Sequence, residues 1–434
     1  MAGVRDGQLF KSGPWPQGAN NLASEGRLPT DEFGRRVALR EAVNVDITKE
    51  GDARRRRGRG AALFDCDMGH SLWSDPALDF GLYVDGGQLY AMFSTGERQA
   101  LGVYAGSGML SYALVGDRVY YCGNGASGVV DAQFNAYPWA PEFPSGQPTV
   151  AAVADGGLPA GQYQFAVTFI DALGRESGTT VAAKIDLAAN EGADLSDIPQ
   201  PTTAGTSIAV YATEANGSAL FRYATIAAGV DTLSIRSAPL GRSLKTSLLT
   251  PMPPGQIVRV FNGVQLVAVG KRLLWSPPMR YGTTDPARNM IPFPHEIDLV
   301  EPAGAGESGA GVFVAAGPRT YWLAGAKPRD WQQSIAYASG AVPRSSVRVP
   351  GTVAGLDDAS PITVWLARDG QFCRGVPGGK VLPMTPGRTA ADDAEYGAAL
   401  YRAQDGIQQV VVSLRGARKQ SLGVTDRAYA VVVP

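Results

Sequence analysis

Five arginines, Arg54, Arg55, Arg56, Arg57 and Arg59, fall within ten residues of a 434-residue chain whose formal net charge is only −1. Guanidinium groups this close repel one another, so water or anions must stand opposite them. Three chemistries fit such a run: contact with an acidic neighbouring subunit, non-specific contact with nucleic-acid phosphates, or a solvated turn. The run by itself does not choose among them.

The remaining chemistry-bearing residues are sparse. There are two histidines, and His295 opens HEIDL, which lacks the second histidine of a zinc-protease helix. GAGESG at 304–309 fits the dinucleotide fingerprint in letters, but an apolar, strand-like run follows it where a helix is needed, so it reads as a loop. WSDPALDFG at 73–81 has a few letters of a sialidase aspartate box without its order. No GxSxG elbow and no phosphate-binding GxxxxGK[ST] loop is present. Cys66, Cys122 and Cys373 are far apart and odd in number, and read as small hydrophobes, not as a disulfide framework or zinc site. Trp15, Trp139 and Trp331 lie beside prolines or charges and read as core or neighbour contacts. The sequence therefore leads us to expect no catalytic residues, no metal and no cofactor, although a carboxylate pair across a cleft is not readable from sequence.

The elements that hold these residues are short. Hydrophobic residues make up 44% and charged residues 18%, the balance of a globular chain, while 54 glycines and 30 prolines favour strands and tight turns over long helices. An apolar strand, a turn and a strand bearing an aromatic recur at 82–93, 112–123, 266–277, 312–325, 363–376 and, more loosely, 399–414. Tyr90, Tyr121, Trp275 and Trp322 stand in the second strand of their hairpins. Six hairpins of one type predict an all-β, β-propeller-like body of about six blades. Between the second and third hairpins, alternation of Tyr163, Phe165, Val167 and Phe169, followed by the turn DALGRESG, predicts an inserted immunoglobulin- or fibronectin III-like sandwich. The expected order is an N-terminal arm and first strand (1–60), a first propeller segment (61–145), the inserted module (146–257) and a second propeller segment (258–434).

The arm is turn-rich until AVNVDIT at 42–48, whose alternation predicts one strand paired into the body, with the arginines at the turn after it. The rest of the arm is expected to lie on a neighbour. Residues 1–60 carry 12 Lys and Arg against 8 Asp and Glu, and the remainder 27 against 32, so any electrostatic role is local. The N-terminal residues lack the apolar core of a signal peptide, and no 18-residue apolar run predicts membrane insertion.

The stretch PPGQIVRVFNGVQLVAVGKRLLWSPPMRYGTTDPARNMIPFPHEIDLVEP, and AGVFVAAGPRTYWLAGAKPRDWQ after it, resemble the tail nozzle or hub proteins of short-tailed bacteriophages, including the packaged-DNA stabilisation type. AVNVDITKEGDARRRRG is similar to the opening of these proteins, and GQYQFAVTFIDALGRESG to the module many of them carry. The resemblance touches about half the chain in dispersed motifs, none catalytic. It implies a structural virion protein, made in the host cytoplasm, forming a homo-oligomeric ring of about six copies below the portal and adaptor proteins. Such a ring encloses the exit channel of the genomic double-stranded DNA and carries tail fibres or spikes. Two other readings stay open at this point: a peripheral fibre-attachment or receptor-binding protein, and a propeller-type glycan hydrolase.

Overall fold

The computed structural model describes residues 13–40, 45–48, 50–55, 64–123, 125–304, 309–354, 361–404, 407–419 and 423–432. The chain is all-β, with helix confined among these residues to three single 3-10 turns. It divides into two compact units, Phe64–Phe293 and the pair of segments Met1–Leu63 and Pro294–Pro434.

The first unit opens with a four-stranded antiparallel meander, His70–Ser74, Phe80–Asp85, Gln88–Phe93 and Arg98–Tyr104. A second follows, Ser111–Val115, Arg118–Gly123, Ala126–Val130 and Ala136–Tyr137. The third, Ile257–Phe261, Val264–Val269, Arg272–Trp275 and Met290–Pro292, comes after the insertion. The other unit contains a fourth sheet, Ile297–Ala303, Gly311–Ala316, Arg319–Ala324 and Gln332–Tyr337, and a fifth, Val347–Val349, Ile362–Leu366, Phe372–Val376 and Lys380–Pro383. A sixth of three strands, Tyr396–Gln404, Ile407–Lys419 and Gly423–Val432, ends it. These are the consecutive antiparallel sheets of a propeller-like body, and every hairpin read from the sequence supplies a strand pair of one of them.

The hairpins form where their letters demand. Asp85–Gln88 reverses the chain through Gly86 and Gly87 at φ +56° and +79°, left-handed values that glycine adopts without a Cβ penalty. The strands flanking such turns bury apolar side chains: Leu82, Val84, Leu89 and Ala91 are sealed on one face of the first sheet, and Phe313, Trp322 and Trp365 meet between the fourth and fifth. In the latter trio Phe313 lies 4.6 Å from Trp322 and 5.5 Å from Trp365 by ring centroids, each pair tilted at 45°.

The insertion is a two-sheet sandwich. Thr149–Leu158, Glu191–Ser196 and Leu233–Ile235 form one sheet, in that spatial order. Ala183–Leu187, Gly161–Ile170, Ser207–Ala212 and Phe221–Ala227 form the other. Tyr163, Phe165, Val167 and Phe169 point into its core, as their alternation requires. The first two strands lie in opposite sheets, whereas the immunoglobulin order puts them in one. Layering and strand number match that type, and strand order does not.

Candidate interaction site

Arg54 and Arg55 belong to a strand, Ala53–Arg55, that pairs antiparallel with Val45–Ile47. The expected placement at a turn is corrected by hydrogen bonding. The chain reverses earlier, at Thr48–Asp52, where Thr48 N–H donates to Asp52 O (2.9 Å) and Gly51 N–H donates to Thr48 O (3.0 Å). Asp52 N–H completes the loop by donating to Thr48 Oγ1 (3.1 Å). Gly51 holds the left-handed position at φ +88°, and a Cβ there would lie 2.5 Å from Pro16 N and Trp15 C. The reason for glycine is thus close backbone approach as well as conformation. The Pro14–Trp15–Pro16 segment closes over this turn, with Trp15 N–H donating to Gly51 O (2.8 Å).

An acid of the hairpin ties it to the sixth sheet. Asp46, 5% exposed, accepts from Arg402 Nη1 (3.3 Å) and from Gln409 Nε2 (3.3 Å) on the first two strands of the sixth sheet. Arg54 is the cross-strand partner of Asp46, and both Arg54 and Arg55 are exposed. The strand therefore pairs with its own hairpin partner, not with a strand of the body as expected, and its link to the sixth sheet is through side chains. Residues 17–22 are also tied to the fifth-to-sixth-sheet connection: Asn21 Nδ2 donates to Ala390 O (2.8 Å), and Ala390 N–H returns a bond to Asn21 Oδ1 (3.0 Å). This stretch of the arm is seated on its own unit. Arg56, Arg57 and Arg59 lie outside the described residues, as does most of GAGESG.

A second assembly holds the inserted module. In DALGRESG, Asp171 accepts from Leu173 N–H (3.0 Å) and Arg175 N–H (2.9 Å), shaping the turn, and from Arg175 Nε at 2.7 Å. Arg175 then extends Nη1 to Trp139 O and Nη2 to Pro138 O, each 2.8 Å. Both side chains of the pair are at most 10% exposed. Trp139 donates Nε1–H to Met252 O (2.8 Å), and Glu142 accepts from Thr202 N–H and Thr203 N–H (2.9 and 2.8 Å). Trp139 is a core residue, as the sequence suggests. The segment after the second sheet is thus gripped along its length.

Two polar clusters resemble acid–base sites in residue type. In the sandwich, Glu176 Oε1 accepts from Thr168 Oγ1 (2.8 Å), Tyr211 OH (2.5 Å) and Arg222 Nη2 (2.9 Å). Burial, then the Glu176 bond, push the Tyr211 phenol up to about 12. Between the fourth and fifth sheets, Tyr337 OH donates to Asp369 (2.7 Å) near Cys373, whose thiol burial raises to about 12. Such a thiol stays protonated at neutral pH and is a poor nucleophile. Cys122 is likewise buried, whereas Cys66 is exposed with its thiol raised, chiefly by desolvation. No three His, Cys, Asp or Glu side chains among the described residues are placed to hold a metal ion. Among the same residues no helix is long and apolar enough to cross a membrane.

No family model matches the chain, and no curated protein matches it in sequence. Among solved structures it is similar to a calcium-binding regucalcin from Agrobacterium tumefaciens at 10% identity, covering 86% of this chain and 92% of that one, with a TM-score of 0.27. A gluconolactonase from Xanthomonas campestris is 13% identical over 63% of this chain and 88% of its own, with a TM-score of 0.16. Prolyl endopeptidases are 12% identical over 82% of this chain and 56% of theirs, with a TM-score of 0.21. These neighbours include enzymes. Likeness at this level bears on neither activity nor partners.

Proposed function

We propose that this chain is a structural protein of a bacteriophage tail. In this reading its copies form a nozzle or hub ring below the portal and adaptor, enclosing the DNA exit channel, retaining packaged DNA and anchoring fibres or spikes. The observation that carries the reading is the arm hairpin, which exposes Arg54 and Arg55 while Asp46, the cross-strand partner of Arg54, is bonded to the sixth sheet. A rigidly based arginine strand suits a phosphate backbone, or an acidic neighbour in the tail, because either is recognised by charge without sequence readout. The segments that resemble nozzle proteins fall on this hairpin, on the clamp of the inserted module and on the third and fourth sheets. Catalytic, metal and cofactor roles are absent from this reading.

The clamp around Arg175 also favours a second reading, a peripheral fibre-attachment or receptor-binding protein, because it gives the module one fixed presentation. A reconstruction of the whole particle separates the two. Six copies around the channel are the expected result, three-fold copies at the periphery favour the second reading, and absence from the particle overturns both. Turnover of host surface glycan by the purified chain would favour a propeller hydrolase instead. Within a nozzle, replacing Arg54–Arg57 with serine flattens the salt dependence of DNA binding by about 0.9 in log–log slope for each phosphate that is no longer neutralised. If the arginines meet an acidic neighbour, the same change blocks tail assembly and leaves DNA binding by the free chain unaltered.

A further inference from the structure

Within the unit Phe64–Phe293 the two signs of charge are separated along the chain. Residues 64–97 contain six Asp and Glu and no Lys or Arg, while residues 232–284 contain seven Lys and Arg and no Asp or Glu. Each stretch brings exposed apolar side chains to the surface beside its charges.

On the acidic side, Asp65 and Asp67 are exposed next to Met68, which is 65% exposed. Met68 N–H donates to Asp85 (3.1 Å) at the end of the second strand of the first sheet. The turn that follows Asp85 carries Tyr104 over Gly87, where a Cβ would meet the ring at 2.5 Å, and Tyr104 is 72% exposed. Arg98 lies among these groups, its Nη1 donating to Asp85 (3.2 Å) and to Asp65 O (3.3 Å), and among the described residues the carboxylates of Asp65 and Asp67 have no ion pair. On the basic side, the segment 241–244 is laid along the outer strand of the four-stranded sandwich sheet. Gly241 N–H donates to Arg222 O (3.1 Å), Arg222 N–H to Arg242 O (2.9 Å) and Leu244 N–H to Leu220 O (2.7 Å). Its exposed side chains are Leu240, at 98%, Arg242, Lys245 and Leu248, at 63%.

We infer that these two surfaces bind each other between copies of the chain, head to tail, with the Arg242–Lys245 edge of one copy on the Asp65–Asp67 surface of the next. One surface is acidic and apolar and the other basic and apolar, so neither is complementary to itself, and an isologous dimer through either juxtaposes like charges. A heterologous contact pairs opposite charges and covers both sets of apolar side chains. Repeated, it generates a closed ring or an open filament. The inference deepens the homo-oligomer aspect of the proposed function but rests on charge and exposure alone, so it is tested on the purified full-length chain without any particle.

The test is a set of charge reversals followed by sedimentation velocity over a concentration series. The wild-type chain is expected to self-associate, and to do so less as salt rises from about 0.05 M to about 0.5 M. Arg242→Glu/Lys245→Glu and Asp65→Lys/Asp67→Lys are each expected to weaken association by roughly tenfold or more. The chain carrying all four changes has both signs exchanged and is expected to recover it, as is an equimolar mixture of the two reversed chains. All substituted residues are exposed, and unchanged thermal unfolding of each variant confirms that the fold is kept. A wild-type chain that stays monomeric throughout, reversals that associate like wild type, or folded four-fold variants that do not recover would each overturn the inference. None of these outcomes depends on whether the protein belongs to a phage tail.

Discussion

Replacing Asp46 with alanine should free the arginine hairpin from its base while leaving the sheets intact. The carboxylate is 5% exposed and takes hydrogen bonds from Arg402 and Gln409, each at 3.3 Å. Gln409 is itself 3% exposed and its Oε1 has no partner, so losing the Nε2 bond strands a second polar atom in the interior. A charge-assisted bond is worth about 1.5–3 kcal/mol, and breaking one partner of a fully buried pair costs about 3–5 kcal/mol. Arg402 keeps 24% of its side chain in water, which moderates the latter figure, so about 2–3 kcal/mol is expected. Because the chain has two compact units, a single unfolding midpoint would blur the effect. Amide exchange read at Val45–Ile47 and Ala53–Arg55 resolves it, with exchange there rising by about 30-fold or more, the factor equivalent to about 2 kcal/mol. Arg55→Ala, exposed and on the opposite face of the hairpin from Asp46, serves as the control and should change little. Equal effects from the two substitutions, or unchanged exchange in the hairpin of Asp46→Ala, would refute the assignment of Asp46 as the anchor.

The other predictions concern the base of the inserted module. Arg175→Ala removes the bonds to Asp171, Pro138 O and Trp139 O at once and leaves a buried carboxylate behind, so a loss of about 3 kcal/mol is expected, read as earlier proteolysis of the segment 138–146. At Glu142, partial desolvation raises the pKa but the N–H groups of Thr202 and Thr203 outweigh it, leaving the carboxyl below its usual range. Stability from this tie is therefore present above the unfolded value of about 4.3 and is lost as pH falls through the lower folded value. Exchange at Thr202 and Thr203 should rise in that acid window in the native chain and be pH-independent there in Glu142→Gln; identical acid profiles would refute the tie.

Much of the fold is legible in the sequence because its signals are local. Alternation such as Tyr163, Phe165, Val167 and Phe169, or an apolar strand ending at Asp85–Gly86–Gly87, needs only a few neighbouring residues to declare a strand or turn. The contacts that organise the candidate site are not of that kind. Asp46 meets Arg402 and Gln409 across more than 350 residues, and Asn21 meets Ala390 across 369. No periodicity marks such pairs, and Asp46 in the alternating run NVDIT has the pattern of a solvent-facing strand position. Arg175 reads in sequence only as a turn residue, since nothing in ESG or ALG announces two carbonyls waiting in Pro138 and Trp139. The arginine run sits a few residues from its expected turn for a related reason. Thr48 and Gly51 define a five-residue reversal whose glycine is chosen by Trp15 and Pro16, which lie far upstream.

The Arg175 clamp has a mechanical consequence. A module hung on two strands of extended chain swings freely, and a pull on it is felt first by whichever bond is nearest the load. Here one guanidinium spans Asp171 on the module side and two successive carbonyls on the stem side, so those bonds are strained together and yield as a set. Trp139, held through its indole to Met252 where the chain leaves the module, ties the incoming and outgoing segments at the same level. The inserted sandwich is therefore a bracket, and tension or torque applied to it passes into the second and third sheets without first being absorbed as slack.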